Sequence, residues 1–501
     1  MGDTAKDHAA FSPASTVYSA KRLLGRGLED ASVQACARHF PTALLQGPAG
    51  AAPGPLLRTR QGASTRDVSP EEASAALLLK LKAAAEAHLG EDVTRAVVAV
   101  PATFTRLQRN ATMQACALAG LHLMRLINDP HAAAFAFDQA RRGRERNVLV
   151  FDLGAGFLSV ALHAIEDGLL EVKATAGDSH LGGEDFDTCL VQWCTQEFQR
   201  RTALDMSGDE RARRRLRVAC EGAKRALSAA AQTTIDIEAL HEGERFQAVV
   251  TRAQFEELAA GCLSRVLAPV ERVLRDAGVA KGEVHEVVLA GGSSRIPRVQ
   301  QLLQEYFDGK ALCKSLNADE AVATGATVMA AILDGQHGGK LDNTILLEAT
   351  PFTLSVETAG GVATELARRN TPIPFRKSQT FTTAADSQTV VHIRVFEGEH
   401  ALAKDNTFIG ELLVSGIPPL PRGEPRIEVT CDIGANCIIT VTAVEKSTGK
   451  TSRLVVDDHV VFLGADDARL KIQAAQTALA LVADPPAGAG AAGGGGGGGN
   501  A

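Results

Sequence analysis

The chain has 501 residues, of which 45% are hydrophobic and 22% charged, so most of it should fold, into about two or three domains. Its formal net charge of −7 argues against a dedicated nucleic-acid binder, which normally carries a basic excess. The sequence has neither a signal peptide nor an apolar run approaching the ~18 residues of a membrane span, so we expect a cytoplasmic or nuclear protein without a membrane partner.

The first seventy residues show little periodicity, and the Pro/Gly-rich stretch AAPGPLLRTRQGAST, residues 51–65, predicts an irregular loop or insertion. A clear helix start follows. Ser69 is the expected N-cap, Pro70 takes the first helical position and Glu72 can close a capping box. The helix is predicted to end at Gly90.

Short buried strands then alternate with helices. The strands are RAVVAVP, LHLMRLI and NVLVFD, and they predict a mixed or parallel sheet covered by helices on both faces. The nine cysteines are scattered without CxxC spacing, so the sequence suggests neither a zinc site nor a redox motif. A reducing compartment fits this cysteine usage.

After residue 339 the pattern changes to short strands. Val391, Ile393 and Val395 alternate with polar residues, and RIEVTCDIGANCIITVTAVE repeats this period, which predicts an all-β sandwich. The segment between the two regions, DNTILLEAT, carries three large apolar residues. It is either the first strand of the sandwich or a linker that binds a neighbouring domain in one state and is free in another.

Four stretches bear on nucleotide binding. FDLGAGFLSV, residues 151–160, predicts a hairpin whose backbone N–H groups can cradle phosphate oxygens, with Asp152 placed for a metal-bound water. LAGGSSRIPRVQ lets an adenosine approach the backbone closely, CEGAKRALS sets four polar residues along one side of a helix, and HLGGEDFD adds a glycine pair backed by carboxylates. Singly, each is equally typical of a tight turn or a solvated helix face.

Together and in this order, these stretches resemble the ATPase domain of the heat-shock protein 70 chaperones, an actin-like fold. TVYSAKRLLGR, ETAGGVATELARRN, FEGEHALAKDN, SGIPPLPRG and VEKSTGK also resemble motifs of that family, and the resemblance covers roughly residues 12–450. It implies an α/β actin-like ATPase domain over residues 1–342, truncated and lacking its first phosphate hairpin. An apolar interdomain linker (343–349), a β-sandwich peptide-binding domain (350–456), a remnant lid helix (457–484) and a Gly-rich disordered tail (485–501) would follow.

The resemblance also implies ATP or ADP, with weakly held Mg²⁺, as cofactors; it assigns no metal ligand. Its catalytic residues would be Lys21, Asp152 and Asp129, the last standing where the family has glutamate. The residues matching its nucleotide-binding positions are Gly154, Gly156, Gly182, Gly183, Glu221, Lys224, Arg225, Ser228, Gly291, Gly292, Ser293, Arg295 and Asp319.

The phosphate side departs from the family pattern. Ala155 replaces the middle glycine of the hairpin, Phe157 stands at the hydroxyl position and Ser159 at the following carboxylate position. Nothing in MGDTAKDHAAFSP can supply the family's earlier DLGTT-type hairpin. Because phosphoryl transfer depends on positioning and electrostatic stabilisation, we expect severely reduced hydrolysis with residual nucleotide binding. The alternatives are an active ATP-driven chaperone and a non-catalytic scaffold for co-chaperones.

The sandwich motifs imply a pocket for one apolar side chain of an extended peptide. Its residues would be Val356, Thr358, Phe381, Val391 and Ile393, with Ala359 and Ala384 at the two arch positions over the peptide. Two alanines leave the arch open, so weak binding is expected. Without these motifs, the period-two pattern of Val391 and Ile393 would favour a core strand over a peptide pocket. The implied partners are unfolded or extended polypeptides, J-domain co-chaperones and nucleotide-exchange factors.

Overall fold

The structure is a computed structural model that describes residues 2–37, 44–47, 54–61, 64–140, 145–335, 344–434 and 438–456. The remnant helix and the tail predicted over residues 457–501 lie outside these ranges. The helices and strands described before residue 141 are α1 (Asp3–His8), α2 (Ala31–Ala37), β1 (Leu44–Gln46), β2 (Pro55–Gln61), β3 (Ser64–Val68), α3 (Pro70–Leu89), β4 (Arg95–Val100), α4 (Arg106–Leu118), β5 (His122–Asn128) and α5 (Asp129–Ala140).

Helix α3 confirms the predicted capping signals. The Ser69 hydroxyl accepts a hydrogen bond from the Glu72 N–H at 3.1 Å, and the Glu72 carboxylate accepts one from the Ser69 N–H at 2.9 Å. Gly90 ends the helix in the left-handed conformation, with φ of 76°. Two backbone N–H groups at the start of the helix are thereby satisfied by local side chains.

The prediction of an irregular loop over residues 51–65 is wrong. Strands β2 and β3 pair antiparallel with Leu57 opposite Val68, and β2 also pairs with β1. Pro55 begins its strand, a position where a proline is tolerated, and Arg58 forms an ion pair with Asp67 across the hairpin at 2.8 Å. Leu57 is completely buried in a small core beneath the hairpin. The Pro/Gly content hid a short period-two pattern.

A five-stranded mixed sheet organises the next part of the chain. Its described elements are β6 (Arg146–Leu153), β7 (Leu158–Glu166), β8 (Leu169–Asp178), α6 (Gly183–Thr202), α7 (Glu210–Leu227), β9 (Gln232–His241), β10 (Glu244–Thr251), α8 (Arg252–Leu258), α9 (Ala260–Leu263), α10 (Ala268–Ala277), β11 (Glu286–Ala290), α11 (Pro297–Tyr306) and α12 (Ala321–Leu333). The strand order is β11-β6-β7-β8-β12, where β12 is Ile345–Leu347.

The sheet is buried on both faces, as the sequence predicted. Leu149 and Phe151 point into a core shared with α6, α7 and α10, whereas Val148 and Val150 point into a core shared with α5 and α12. Strands β6, β7 and β8 are antiparallel neighbours, and β11 pairs with β6 in parallel. A strand covered on both sides reads as a continuous apolar run, which is why NVLVFDL lacks alternation.

The apolar segment before the sandwich docks on the first domain. Strand β12 pairs in parallel with Leu169–Glu171 of β8, and Leu346 packs against the core beneath α12. Glu348 accepts a hydrogen bond from Arg125 at 2.9 Å. The structure thus has this segment paired with the first domain rather than within the sandwich, and a state in which it is free stays a prediction.

The second region is the predicted all-β sandwich. One sheet has the order β14-β13-β16-β17 and the other β15-β18-β19-β20. The strands are β13 (Leu354–Thr358), β14 (Val362–Ala367), β15 (Phe375–Phe381), β16 (Val390–Glu397), β17 (Thr407–Ser415), β18 (Ile427–Ile433), β19 (Ile439–Glu445) and β20 (Thr451–Val456). Throughout the described ranges, no helix is long and apolar enough to cross a membrane.

Polar contacts join the sandwich to the first domain. Arg369 forms a bidentate ion pair with Asp276 of α10 at 2.8 and 2.9 Å, and the Asn370 side chain accepts a hydrogen bond from the Thr175 N–H at 3.0 Å. With β12, these contacts place the sandwich against β8 and α10.

Candidate nucleotide site and peptide groove

The turn between β6 and β7 is the centre of the candidate site. The Gly154 carbonyl accepts hydrogen bonds from the Gly183 N–H and the Ser293 hydroxyl, both at 3.0 Å. The Ala155 carbonyl accepts one from the Glu184 N–H at 2.8 Å. The predicted phosphate hairpin, the start of α6 and the loop after β11 therefore meet here, as the three motifs implied.

Glycine is required at two positions around this turn. A Cβ atom on Gly182 would collide with the Ala155 carbonyl, and one on Gly291 would collide with the Leu153 carbonyl. Gly291 also has a φ of 75°, which side chains rarely adopt. The absence of a side chain at Gly182 and Gly291 thus allows the backbones of these segments to contact that of the turn and its strand.

Helix α7 supplies the second wall. The Lys224 ammonium donates a hydrogen bond to the Gly183 carbonyl and forms an ion pair with Asp187, each at 2.9 Å and largely buried. Glu221 pairs with Lys6 of α1 at 2.8 Å, and Arg225 extends into solvent 3.9 Å from Glu221. Ser228 follows the last helical residue and stays partly exposed.

The loop after β11 supplies the facing wall. Arg295 donates to the Asp319 carboxylate at 2.6 Å and to the Asn317 amide oxygen at 2.9 Å, with nearly half of its side chain exposed. Gly292 lies against Asp319, and Ser293 lies beside Gly183. The predicted adenosine residues therefore stand on two walls, α7 and the loop 291–295, that meet near Gly183.

Lys21 and the carboxyl groups of Asp129 and Asp152 lie beyond the turn between β6 and β7. The Lys21 ammonium is 4.0 Å from the Asp129 carboxylate. Burial raises the pKa of Asp129, while Lys21 opposes that shift. Burial and the neighbouring Asp129 raise the pKa of Asp152 to about 8. The buried pair of Asp129 and Asp152 therefore retains a proton to a higher pH than two exposed carboxyl groups would.

Phe157 closes this pocket with an aromatic ring. The Lys21 ammonium lies 5.9 Å from the Phe104 ring centroid and 6.0 Å from that of Phe157, and the two rings contact edge to face at 5.5 Å. Ser159 is buried, and its hydroxyl accepts a hydrogen bond from the Ala102 N–H at 3.2 Å. Neither residue presents a free polar group to the pocket.

The buried imidazole rings of His131 and His163 show that the core behind Asp129 excludes water. His131 and His163 share a hydrogen bond of 2.9 Å in the core between α5 and β7. Burial lowers the pKa of both, that of His163 to about 4, so both rings are neutral at physiological pH. The same exclusion of water raises the pKa of Asp152.

Arg22 is a site residue that the sequence reasoning missed. It donates hydrogen bonds to the Gly156 carbonyl at 2.9 Å and to the Asp185 carboxylate at 2.6 and 3.1 Å, and it is largely buried. Arg22 thereby connects the β6–β7 turn to the first helical turn of α6. Its only sequence signal is its place beside Lys21 in SAKRLLG.

The residues fit an adenine nucleotide better than they fit a protein-bound metal. The polar side chains of the two walls suit a nucleoside, whereas Gly182 and Gly291 are already in contact with the backbone of the turn and of strand β6. Within the described ranges, no group of three or more His, Cys, Asp or Glu side chains could hold a metal ion.

The predicted peptide residues lie on two strands of one sheet and at the end of a third strand. Val356 and Ile393 are buried in the sandwich core, and Phe381 and Val391 pack against it while remaining partly exposed. The Thr358 hydroxyl bonds to Thr364 at 2.8 Å. Ala359 and Ala384 are exposed. Only the partly exposed residues can contact a peptide without rearrangement.

The fold and the candidate site define a protein with an actin-like α/β ATPase domain followed by a β-sandwich. A family model described as Hsp70 protein matches residues 1–480. The chain is 50% identical to Heat shock 70 kDa protein 2 of Paracoccidioides lutzii over 458 residues, 91% of this chain and 69% of that protein. It is 46% identical to a ribosome-associated molecular chaperone of Eremothecium gossypii over 479 residues, 95% and 78% of the two chains. The chain belongs to the Hsp70 family of chaperones, which confirms the resemblance.

The raised pKa of Asp152 predicts a pH dependence of stability. Between about pH 4 and 8 the folded chain keeps a proton that the unfolded chain releases, so the free energy of unfolding should fall as the pH rises. Asp152→Asn should remove up to ~1.4 kcal/mol of this fall per pH unit. Urea unfolding of the nucleotide-free chain across this range measures it.

Asp236→Asn is the matched control. Arg245 lowers the pKa of that exposed carboxylate, so its contribution is lost only below its usual range, at more acidic pH. If the free energy of unfolding changes with pH equally in the wild type and in Asp152→Asn, the raised pKa does not belong to Asp152.

Proposed function

We propose that this Hsp70-family chaperone binds ATP or ADP between α7 and the loop 291–295, holds extended apolar segments of unfolded proteins on its sandwich, and hydrolyses ATP slowly. The observation that carries the slow hydrolysis is the ring of Phe157 beside the Lys21 ammonium. The family pattern has a hydroxyl at this position.

Slow hydrolysis follows from the charges around the terminal phosphate. Phosphoryl transfer needs preorganised donors at the transferring group and a carboxylate that orients the attacking water. Lys21 is the cation predicted to stabilise the transferring phosphoryl group, and its ammonium also lies near Asp129 and two aromatic rings. Because burial and Asp129 raise the pKa of Asp152, less of it is in the carboxylate form that accepts a proton from that water. Asp152 and Asp129 would be the carboxylates available to a Mg²⁺ ion bound with the nucleotide, and that ion would supply neutralisation of phosphate charge.

The retained residues favour one alternative, an active ATP-driven chaperone. Lys21, Asp129 and Asp152 all stand within one pocket, and nucleotide binding could shift the pKa of Asp152. A scaffold for J-domain co-chaperones or nucleotide-exchange factors is the other alternative, for which the docked strand β12 and the surface of α7 offer binding elements. Cytoplasmic or nuclear location stays a prediction.

Restoring a hydroxyl beside Lys21 tests the proposal. Phe157→Thr should raise the single-turnover hydrolysis rate by about 10²-fold, the typical value of one preorganised donor. Phe157→Leu is the matched control, because it shortens the side chain without adding a donor, and its rate should stay that of the wild type. Rates are measured with excess protein over radiolabelled ATP.

The added variant Lys21→Met identifies the site responsible. Any activity gained by Phe157→Thr should vanish in the double variant. If the wild type already hydrolyses ATP as fast as Phe157→Thr, and Lys21→Met abolishes that activity, the chain is an active ATPase and slow hydrolysis is refuted.

Lys6 should compete with the nucleotide. Its ion pair occupies Glu221, a proposed adenosine residue, at 2.8 Å. Exposed pairs of this kind are worth about 0.2–1 kcal/mol, so Lys6→Ala should tighten ADP binding by up to about fivefold in calorimetry. Lys281→Ala, which breaks an exposed pair with Asp308 at 2.7 Å, should leave the affinity unchanged. Weaker binding in Lys6→Ala would mean that Lys6 itself contacts the nucleotide.

Peptide binding should depend on the partly exposed face of β16. A charge buried beneath an apolar ligand is costly, so Val391→Asp should weaken binding of a fluorescent leucine-rich peptide at least about tenfold in anisotropy titrations. Val455→Asp places the same charge on the outer strand β20 of the other sheet, where Val455 is 48% exposed, and should have no effect. Equal losses of peptide affinity in both variants would show that β16 does not line the peptide-binding groove.

A further inference from the structure

The fold brings four scattered cysteines together as two pairs. The sulfurs of Cys189 on α6 and Cys262 on α9 are 4.0 Å apart, and those of Cys194 and Cys220 are 3.9 Å apart. Cys189 and Cys262 are partly exposed, whereas Cys194 and Cys220 are fully buried. A dissolved oxidant can therefore reach the first pair and is excluded from the second.

The accessible pair lies where the chain crosses between two parts of the ATPase domain. One part is the five-stranded sheet, and the other contains α6, α7, the β9–β10 hairpin and α8. The chain leaves the sheet after β8 and returns through residues 259–267 to α10. Arg265 and Asp178 form an ion pair between the two crossings. Cys262 lies in the returning segment, and Cys189 lies in the second turn of the helix that follows the first crossing.

We propose that Cys189 and Cys262 are a modification site, at which a peroxide forms a reversible disulfide that fastens the two crossings. The two walls of the candidate nucleotide site, α7 and the loop 291–295, belong to the two parts so joined. A fastened crossing restricts the movement of one wall away from the other. The effect on nucleotide release rests on the proposed function, whereas formation of the Cys189–Cys262 disulfide does not.

The oxidation balances with one hydrogen peroxide. The Cys189 thiolate attacks one peroxide oxygen, giving a sulfenic acid and a hydroxide that takes up a proton to form water. The Cys262 sulfur, after losing its proton, attacks the sulfenic sulfur and displaces hydroxide, which becomes the second water. The two sulfurs together lose two electrons and two protons. A thiol reductant reverses the bond by exchange.

The geometry of the pair permits the bond. A disulfide has an S–S distance of about 2.05 Å, so the sulfurs need to approach by roughly 2 Å, which side-chain rotation can supply. Either thiol can donate in the contact between the two sulfurs, so either cysteine can act as the nucleophile with the other as the resolving thiol. The oxidation balances equally with the two roles exchanged.

Peptide mapping tests the bond. The full chain is treated with hydrogen peroxide, free thiols are blocked, and the protein is digested without reduction. We expect a cross-linked peptide pair containing Cys189 and Cys262 that disappears with dithiothreitol and is absent in Cys189→Ser and Cys262→Ser. Cys194 and Cys220 are the internal control and should be recovered as blocked thiols. Absence of the Cys189–Cys262 cross-link, or its formation no faster than a Cys194–Cys220 cross-link, overturns the proposal.

Two further readouts test the fastening. Release of a fluorescent ATP analogue should slow at least about tenfold on oxidation, equivalent to ~1.4 kcal/mol of added barrier, and should not slow in Cys262→Ser. The oxidised wild type should also melt at a higher temperature than oxidised Cys262→Ser, because the bond closes a loop between residues 73 positions apart.

Unchanged release overturns the fastening even if the bond forms. If the chain binds no nucleotide, the proposed function fails, and the peptide mapping still decides whether the disulfide forms, while equal melting temperatures of the two oxidised proteins overturn the fastening.

Discussion

The turn at residues 154–157 is the contact on which the ATPase domain depends. Its carbonyl groups accept hydrogen bonds from the start of α6 and from Ser293, so three hydrogen bonds hold the sheet, α6 and the loop after β11 in one arrangement. Gly182 and Gly291 permit this approach because any side chain there would strike the turn or its strand. The same bonds consume the N–H groups of Gly183 and Glu184, which a phosphate would otherwise use.

The two sides of the candidate site differ in their solvation. The adenosine side is partly exposed and built from ion pairs that water can replace, such as Arg295 with Asp319. On the phosphate side, burial raises the pKa of Asp152, whereas the side chain of Lys21 is about half exposed and lies beside two aromatic rings. In the proposed function, binding and cleavage of a nucleotide therefore depend on separate sets of residues.

Local rules recovered much of the fold from the sequence. The capping of α3, the buried run of β6 and the alternation in β16 follow from interactions within a few residues, and all three predictions are confirmed. The hairpin β2–β3 escaped because its strands are short and its flanks are rich in glycine and proline. Partnerships between distant residues left no local pattern. Arg22 with Asp185, Lys6 with Glu221 and the two cysteine pairs depend on how helices pack.

The docking of β12 has a consequence for the rest of the sheet. Without it, β8 would be the outermost strand, with unpaired backbone groups beside Leu169 and Leu170. Such an edge is a template for any extended chain, including the unfolded polypeptides that a chaperone gathers around itself. The linker strand thus guards the protein against intermolecular β-pairing and aggregation, and undocking it removes that guard.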